Sequence, residues 1–318
     1  MKNKKPILYV VVPCYNEEAV LPVTCEKLCE KLSAMINANK IDSASRIMFV
    51  DDGSKDKTWE LIFEYHNNKD YVTGIKLAHN KGHQNALLCG LMNAKQYADC
   101  VASMDADLQD DIDVLDGFIE HYNQGCDVVY GVRNNRQKDS FFKRTTAKGF
   151  YRFMNMLGVN TISNHADCRL LSKKALDGLS QYTETNLFLR GIVTDMGFKS
   201  AVVYYQRDKR VAGQSKYPLK KMLSFAVDGI TSFSVKPLKI ISNLGIIISL
   251  LSVLGLLYAL ISKLCGVAES GWTAIVASIW LIGGIQLFCI GIVGTYIGKI
   301  FGEVKQRPRY IEDEILLK

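Results

Sequence analysis

The chain has 318 residues, 48% hydrophobic and 22% charged, with 39 Lys and Arg against 32 Asp and Glu for a net charge of +7. That length accommodates one large domain and a further segment. The basic balance does not require a nucleic-acid partner, because the excess flanks two apolar stretches near the C-terminus, where it would meet anionic lipid. Nine cysteines are scattered without a C-x-x-C pair, and Cys25 and Cys29 lack the partners a zinc site needs, so the thiols read as reduced and structural.

Ile7 to Pro13 is a continuous apolar run, the pattern of a strand buried on both faces of a parallel sheet, and it stops at the polar P-C-Y-N-E-E. Met1 to Lys5 leads straight into it, which is too short for a secretory signal, so the soluble part is expected to stay cytosolic. Ala19 to Ala38 is helix-patterned. Arg46 to Val50 reads as a second strand ending in D-D-G-S-K-D, with Asp51 suited to capping the following turn and Asp56 the next helix. A strand at Val72 to Leu77 and a helix at Gln84 to Tyr97 follow; His79 and His83 between them read as loop or surface residues.

Val101 to Asp111, V-A-S-M-D-A-D-L-Q-D-D, is a strand running into acid. Asp105 and Asp107 are two apart, so both carboxylates can converge on one point where the strand opens into a loop. Two unpaired carboxylates repel and resist desolvation. A cation between them resolves this, and hard oxygen ligands suit Mg²⁺ or Mn²⁺. The plain alternative is a solvated acidic loop.

Asp127 to Arg133 reads as another strand, with Arg133 and Arg136 beyond it. Ser140 to Leu157 reads as a basic, aromatic helix, suited either to a membrane surface or to a core with a solvated basic face. A loop carrying Asp167 and Arg169, helices near Lys173 to Ser180 and Asn186 to Met196, and a strand near Ser200 to Gln206 complete the alternation. Strands alternating with helices predict a doubly wound α/β sheet that binds ligands beyond the carboxyl ends of its strands. No G-x-G-x-x-G or G-K-[ST] follows a strand, so a phosphate bound here needs a metal rather than a glycine cradle.

From Arg207 a basic loop with a glycine hinge leads to Leu219, Met222, Leu223, Ala226, Ile230 and Phe233, an amphipathic pattern for the bilayer interface. Leu244 to Leu264 and Trp272 to Ile297 are each long enough to span a hydrocarbon core of about 30 Å and read as a transmembrane hairpin. Lys220, Lys221, Lys236 and Lys239 before it, and Lys299, Lys305, Arg307 and Arg309 after it, place both termini in the cytoplasm. The division expected is a catalytic domain over 1–216, a juxtamembrane helix over 217–237, two spans over 238–300 and a cytosolic tail over 301–318. Glycines along the spans, Gly245, Gly255, Gly283, Gly284, Gly291, Gly294 and Gly298, favour close packing and a homo-oligomer.

Taken together, V-P-C-Y-N-E (Val12 to Glu17), V-D-D-G-S (Val50 to Ser54), M-D-A-D-L-Q-D (Met104 to Asp110), D-C-R-L-L-S (Asp167 to Ser172), R-V-A-G-Q-S-K-Y (Arg210 to Tyr217) and the two terminal spans resemble the membrane-bound polyprenyl-phosphate glycosyltransferases of glycosyltransferase family 2. The resemblance is nearest to dolichyl-phosphate mannose synthase and bacterial undecaprenyl-phosphate glucosyltransferases, and it covers nearly the whole chain. It implies a GT-A (Rossmann-like) catalytic domain, a UDP-sugar donor, a polyprenyl phosphate acceptor in a bacterial cytoplasmic membrane, and Mg²⁺ or Mn²⁺. Carried over by position, Pro13, Glu17 and Asp52 hold the uridine end, with Tyr15 also among the nucleotide-sugar contacts. Asp105 and Asp107 hold the diphosphate through the metal, with Gln109 beside the donor. Arg133 meets the acceptor phosphate; Arg210, Ser215 and Lys216 form a loop closing over both phosphates; Asp167 is the base or positions the acceptor. Two departures are His79-Asn80-Lys81-Gly82-His83 in place of N-x-G-K, and Cys168 in place of the Phe of D-F-R-L.

The chemistry follows without the resemblance. Displacing a nucleoside diphosphate from an anomeric carbon requires neutralising the leaving group, and a phosphomonoester acceptor is largely ionised near neutral pH. An in-line displacement with inversion is expected. A processive polysaccharide synthase would carry Q-x-x-R-W, whereas the tryptophans here are Trp59, Trp272 and Trp280; a flippase would need polar groups inside several spans, and Gln286 is the main one. A catalytically inactive lipid-binding subunit is the third alternative, against which the intact set of acids stands.

Overall fold

The apolar run that opens the chain becomes the middle of a sheet. The structure is a computed structural model and describes residues 5–107, 109–133, 165–185, 187–206, 236–264 and 271–318. Its first part alternates β1 (Leu8–Cys14), α1 (Leu21–Asn37), β2 (Arg46–Asp51), α2 (Thr58–Asn68), β3 (Val72–Leu77), α3 (His83–Ala94), β4 (Cys100–Ser103), α4 (Val114–Asn123) and β5 (Val128–Arg133). β6 (His165–Ser172), α5 (Lys173–Leu179), α6 (Leu189–Asp195) and β7 (Ser200–Tyr205) follow. Two long helices, α7 (Lys236–Leu264) and α8 (Trp272–Val304), precede a final strand, β8 (Glu312–Leu316).

The eight strands lie in the order β7-β5-β6-β4-β1-β2-β3-β8. β4, β1, β2 and β3 run parallel, as the alternation predicts, and β7 runs parallel to β5. Two elements depart from the sequence reading. The stretch with Asp167 and Arg169, read as a loop, is strand β6, inserted antiparallel between β4 and β5. Residues read as part of a tail form β8, antiparallel to β3 at the sheet edge. The sheet is therefore mixed.

Burial on both faces explains the unbroken hydrophobicity of β1. Leu8, Val10, Val12 and Cys14 share a core with Leu21, Cys25, Leu28, Leu32 and Met35 of α1, Ile62 of α2 and Phe118 of α4. The apolar positions of α1 recur at the three- and four-residue spacing that makes one helix face. On the opposite face α3 approaches so closely that a Cβ built on Gly90 would meet Val11 and lie 2.8 Å from Val50 Cγ2. The eight described cysteines carry free thiols, and burial pushes those of Cys14, Cys100 and Cys168 up.

The strands and their helices make one unit, which includes β8, and α7 and α8 make another. Within α8, Ile282–Val304 is long and apolar enough to cross a membrane. Arg136, the helix read at Ser140 to Leu157, the loop with Arg210, Ser215 and Lys216, and the amphipathic segment from Leu219 to Phe233 lie outside the described residues.

The α3 contact gives a direct test of this packing. Gly90→Ala is expected to cost about 1–3 kcal/mol through overpacking against Val11 and Val50, measured as a lower denaturation midpoint of the detergent-solubilised protein.

Candidate active site

The parallel strands deliver their acidic ends to one edge of the sheet. At the end of β2, Asp51 is fully buried and its carboxylate accepts the Ser54 N–H at 3.3 Å, capping the turn as expected. Asp52 beside it accepts the N–H groups of Lys81 at 2.7 Å and Gly82 at 2.9 Å, so its carboxylate fixes the loop entering α3. Gly53 makes that approach possible. It has φ +65°, and a Cβ there would lie 2.7 Å from Asn80 N and 2.8 Å from the His79 carbonyl carbon. Asp56 precedes α2 and binds the N–H and hydroxyl of Thr58, the residue that opens the helix.

At the end of β1, Pro13 is buried in register with Val50, while Tyr15 stands exposed in the following turn. Asn16 has φ +54°, and its N–H donates to Ser54 Oγ at 2.9 Å. The Glu17 N–H donates to Thr58 Oγ1 at 2.9 Å. The two acidic turns are thus pinned to each other.

β4 ends at Ser103, whose hydroxyl donates to the Asp167 carbonyl oxygen of the antiparallel neighbour. The turn beyond is held from the helix side by Thr24 of α1, whose hydroxyl donates to the Ala106 carbonyl at 2.7 Å. Asp105 and Asp107 are half-buried on this turn, Gln109 is buried, and the Gln109 N–H donates to Asp107 Oδ1 at 3.3 Å. His83, at the start of α3, places Nε2 3.7 Å from Asp105 Oδ1 and 3.8 Å from Asp167 Oδ2.

Asp167 is clamped by two arginines. Oδ1 accepts from Arg169 Nη2 at 2.6 Å and Arg190 Nε at 3.0 Å, and Oδ2 accepts from Arg190 Nη2 at 2.9 Å. Burial by itself would raise this carboxyl. The Arg190 hydrogen bonds and the charges of Arg169 and Arg190 outweigh it and hold Asp167 well below the usual carboxylate range. Arg190, on α6, has no sequence signal connecting it to Asp167, 23 positions earlier on another element.

Arg133, at the end of β5, binds another acid of the turn. Its Nε and Nη2 donate to Asp110 Oδ1 at 3.0 and 2.8 Å, and Tyr205 at the end of β7 donates to the same oxygen at 2.6 Å. Burial, together with the Asp110 charge, pushes the Tyr205 phenol up, so it remains a donor. Asp110 was legible only as one of four acids, and Tyr205 carried no signal at all.

The donor chemistry of the central turn fits a divalent cation. Asp105 is pushed up to about 6 by burial and by the neighbouring carboxylates of Asp167, Asp110 and Asp107, with His83 opposing. Such a carboxylate gains from a nearby cation. Among the described residues no group of three or more His, Cys, Asp or Glu forms a metal site. Mg²⁺ commonly takes one or two carboxylates and completes its shell with water and substrate phosphate, which is what Asp105 and Asp107 can offer.

Comparison with known proteins places this chain in a family. The model for "Glycosyl transferase family 2" matches residues 9–179. The chain is 55% identical to the uncharacterized glycosyltransferase YkoT of Bacillus subtilis (strain 168), over 98% of this chain and 93% of that protein. It is 36% identical to the SfII prophage-derived bactoprenol glucosyl transferase of Shigella flexneri, over 95% of this chain and 96% of that protein. Among solved structures, the mannosyltransferase PcManGT of Pyrobaculum calidifontis, in complex with GDP-Man and Mn²⁺, is 15% identical over 93% of this chain and 88% of that one, with a TM-score of 0.43.

The Asp110 cluster separates pairing from packing. Asp110→Asn leaves the Arg133 charge without its ionic acceptor and is expected to cost about 3 kcal/mol, at the low end for such pairs because 27% of the Arg133 side chain is exposed. Tyr205→Phe removes one neutral donor to that carboxylate and is expected to cost less, about 1.5–2 kcal/mol. Urea midpoints of the two variants check the order.

Proposed function

Because the chain belongs to glycosyltransferase family 2 and carries its α/β GT-A fold, we propose that this glycosyltransferase moves a hexose, glucose first among the candidates, from a UDP-sugar to undecaprenyl phosphate. The observation that carries the reading is one sheet edge holding Asp105 and Asp107 together with two arginine-bound acids, Asp110 on Arg133 and Asp167 on Arg190. That is a place for a metal-neutralised diphosphate beside a second anion. A relative named for glucosyl transfer and bactoprenol supports glucose and a polyprenyl acceptor over other pairs; N-acetylglucosamine is the next donor to try.

In this reading Pro13, Tyr15, Glu17 and Asp52 lie at the nucleotide end, and Asp105 and Asp107 hold Mg²⁺ or Mn²⁺ with Gln109 beside the donor. The bound metal would supply charge neutralisation for the departing diphosphate. Arg133 aligns the acceptor phosphate, with Arg210, Ser215 and Lys216 assigned to the closing loop. The phosphate attacks the anomeric carbon in line and inverts it. Asp167, held ionised by two arginines, is a weak proton acceptor, and the phosphomonoester is already mostly ionised at neutral pH. Its part is positioning.

The reading also gives a membrane arrangement. β7 and β8 belong to one sheet, which supports an even number of crossings in the chain between Tyr205 and Glu312. Two crossings, by α7 and α8, would keep the catalytic domain and both termini cytoplasmic.

Transfer from a panel of labelled nucleotide sugars to undecaprenyl phosphate tests the reaction. A lipid-extractable product is expected with Mg²⁺ or Mn²⁺, abolished by EDTA and reduced at least about 10²-fold in Asp107→Asn; UDP release with no labelled lipid would sink the acceptor assignment. For the membrane arrangement, green fluorescent protein fused after Lys318 should fluoresce, and alkaline phosphatase inserted after Glu269 should be active outside the cytoplasm. Activity of a phosphatase fused after Lys318 would contradict it.

A further inference from the structure

Two guanidinium groups grip the single carboxylate of Asp167. Arg169, with a side chain only 2% exposed, already pairs with Oδ1 at 2.6 Å. Arg190 adds a second guanidinium with 36% of its side chain exposed. One carboxylate and two guanidinium groups leave the trio with a net charge of +1, at an edge where the other ionised groups are mostly acidic. A second, half-exposed arginine contributes little stability by pairing alone, since solvated ion pairs are worth about 0–1 kcal/mol.

The trio is also held in a fixed orientation. Asp167 engages Nε and Nη2 of Arg190 together, which fixes the plane of the guanidinium. Asp167 is held in turn through its own carbonyl by Ser103 of β4. The helix carrying Arg190 is tied to α3, because the Leu189 N–H donates to Gln84 Oε1 at 2.9 Å. His83, the neighbour of Gln84, reaches both Asp167 and Asp105, so the carboxylate that Arg190 grips and the central acidic turn share one imidazole neighbour. A planar, preset fork is the geometry that recognises phosphate oxygens.

We propose that Arg190, oriented by Asp167, is a phosphate-binding residue of this site, and that Asp167 acts on the reaction chiefly by holding Arg190. The identity of the phosphate rests on the glycosyl-transfer reading: it belongs either to the donor diphosphate or to the acceptor phosphomonoester. Both present the same oxygens, and their affinities can be measured apart.

The test is calorimetric titration of the full chain in detergent, with Mn²⁺ present throughout, with UDP and, separately, with farnesyl phosphate, a water-soluble prenyl phosphomonoester, for wild type, Arg190→Gln and Arg190→Lys. Arg190→Gln should weaken one of the two ligands at least tenfold, about 1.4 kcal/mol, and the ligand weakened names the source. Arg190→Lys should fall between wild type and Arg190→Gln, keeping the charge but losing the fork. Both affinities within twofold of wild type in a folded Arg190→Gln overturn the proposal, and a lowered melting temperature with unchanged affinities marks Arg190 as structural. Should Arg190→Gln fail to fold, Arg190→Lys decides: a threefold or greater loss for one ligand supports phosphate contact, and no loss for either overturns it. A wild type that binds neither ligand overturns the reaction reading itself, whereas variants matching a wild type that binds both overturn only the part given to Arg190.

Discussion

Four carboxylates gathered at one sheet edge are the constraint on which the rest of this catalytic domain depends. Asp107, Asp110 and Asp167 stand close enough to Asp105 to act with burial in raising it. The fold meets that cost unevenly. Asp110 and Asp167 are paired with arginines, whereas Asp105 faces His83 at 3.7 Å and is left at about 6. Such a carboxylate is suited to a cation brought with a substrate.

The same edge shows how a mixed sheet builds a site that a parallel one could not. In an all-parallel sheet only residues following strands reach the carboxyl edge. β6 runs the other way, so its first residues arrive there instead, and its pairing of Arg169 with Ser103 carries Asp167 to the level of the β4 turn. Arg133 at the end of β5 and Tyr205 at the end of β7 reach the same edge from the strands beyond β6. A single antiparallel insertion thus brings an arginine-bound acid, Asp167, to the same edge as Asp105, Asp107 and the Arg133-bound Asp110.

A similar economy governs the C-terminus. β8 covers the edge of β3, with Lys76 reaching Glu314 at 3.0 Å and Asn93 of α3 donating to Glu312 at 2.7 Å. An exposed strand edge is a liability for self-association, and the last residues of the chain remove it from β3. They also return the chain after its long apolar helices to the domain it left.

The sequence by itself determined the alternation of strands and helices, the buried central strand and the positions of Asp51, Asp105 and Asp107 at strand ends, because these depend on local periodicity and on the abrupt change from apolar to acidic residues. The family resemblance was legible for the same reason, in short motifs at fixed places. Only the tertiary structure decided that Asp167 lies on a strand, that Arg190 clamps it, that Tyr205 and Arg133 share Asp110, and that Glu312 to Leu316 pair with β3. Each is a contact between residues far apart in the chain, and the partners carry no mark of each other. The eight residues of β6, H-A-D-C-R-L-L-S, open with polar residues and a charge pair that local pattern assigns to a loop. What makes them a strand is the pair of neighbours, β4 and β5, that supply their hydrogen bonds.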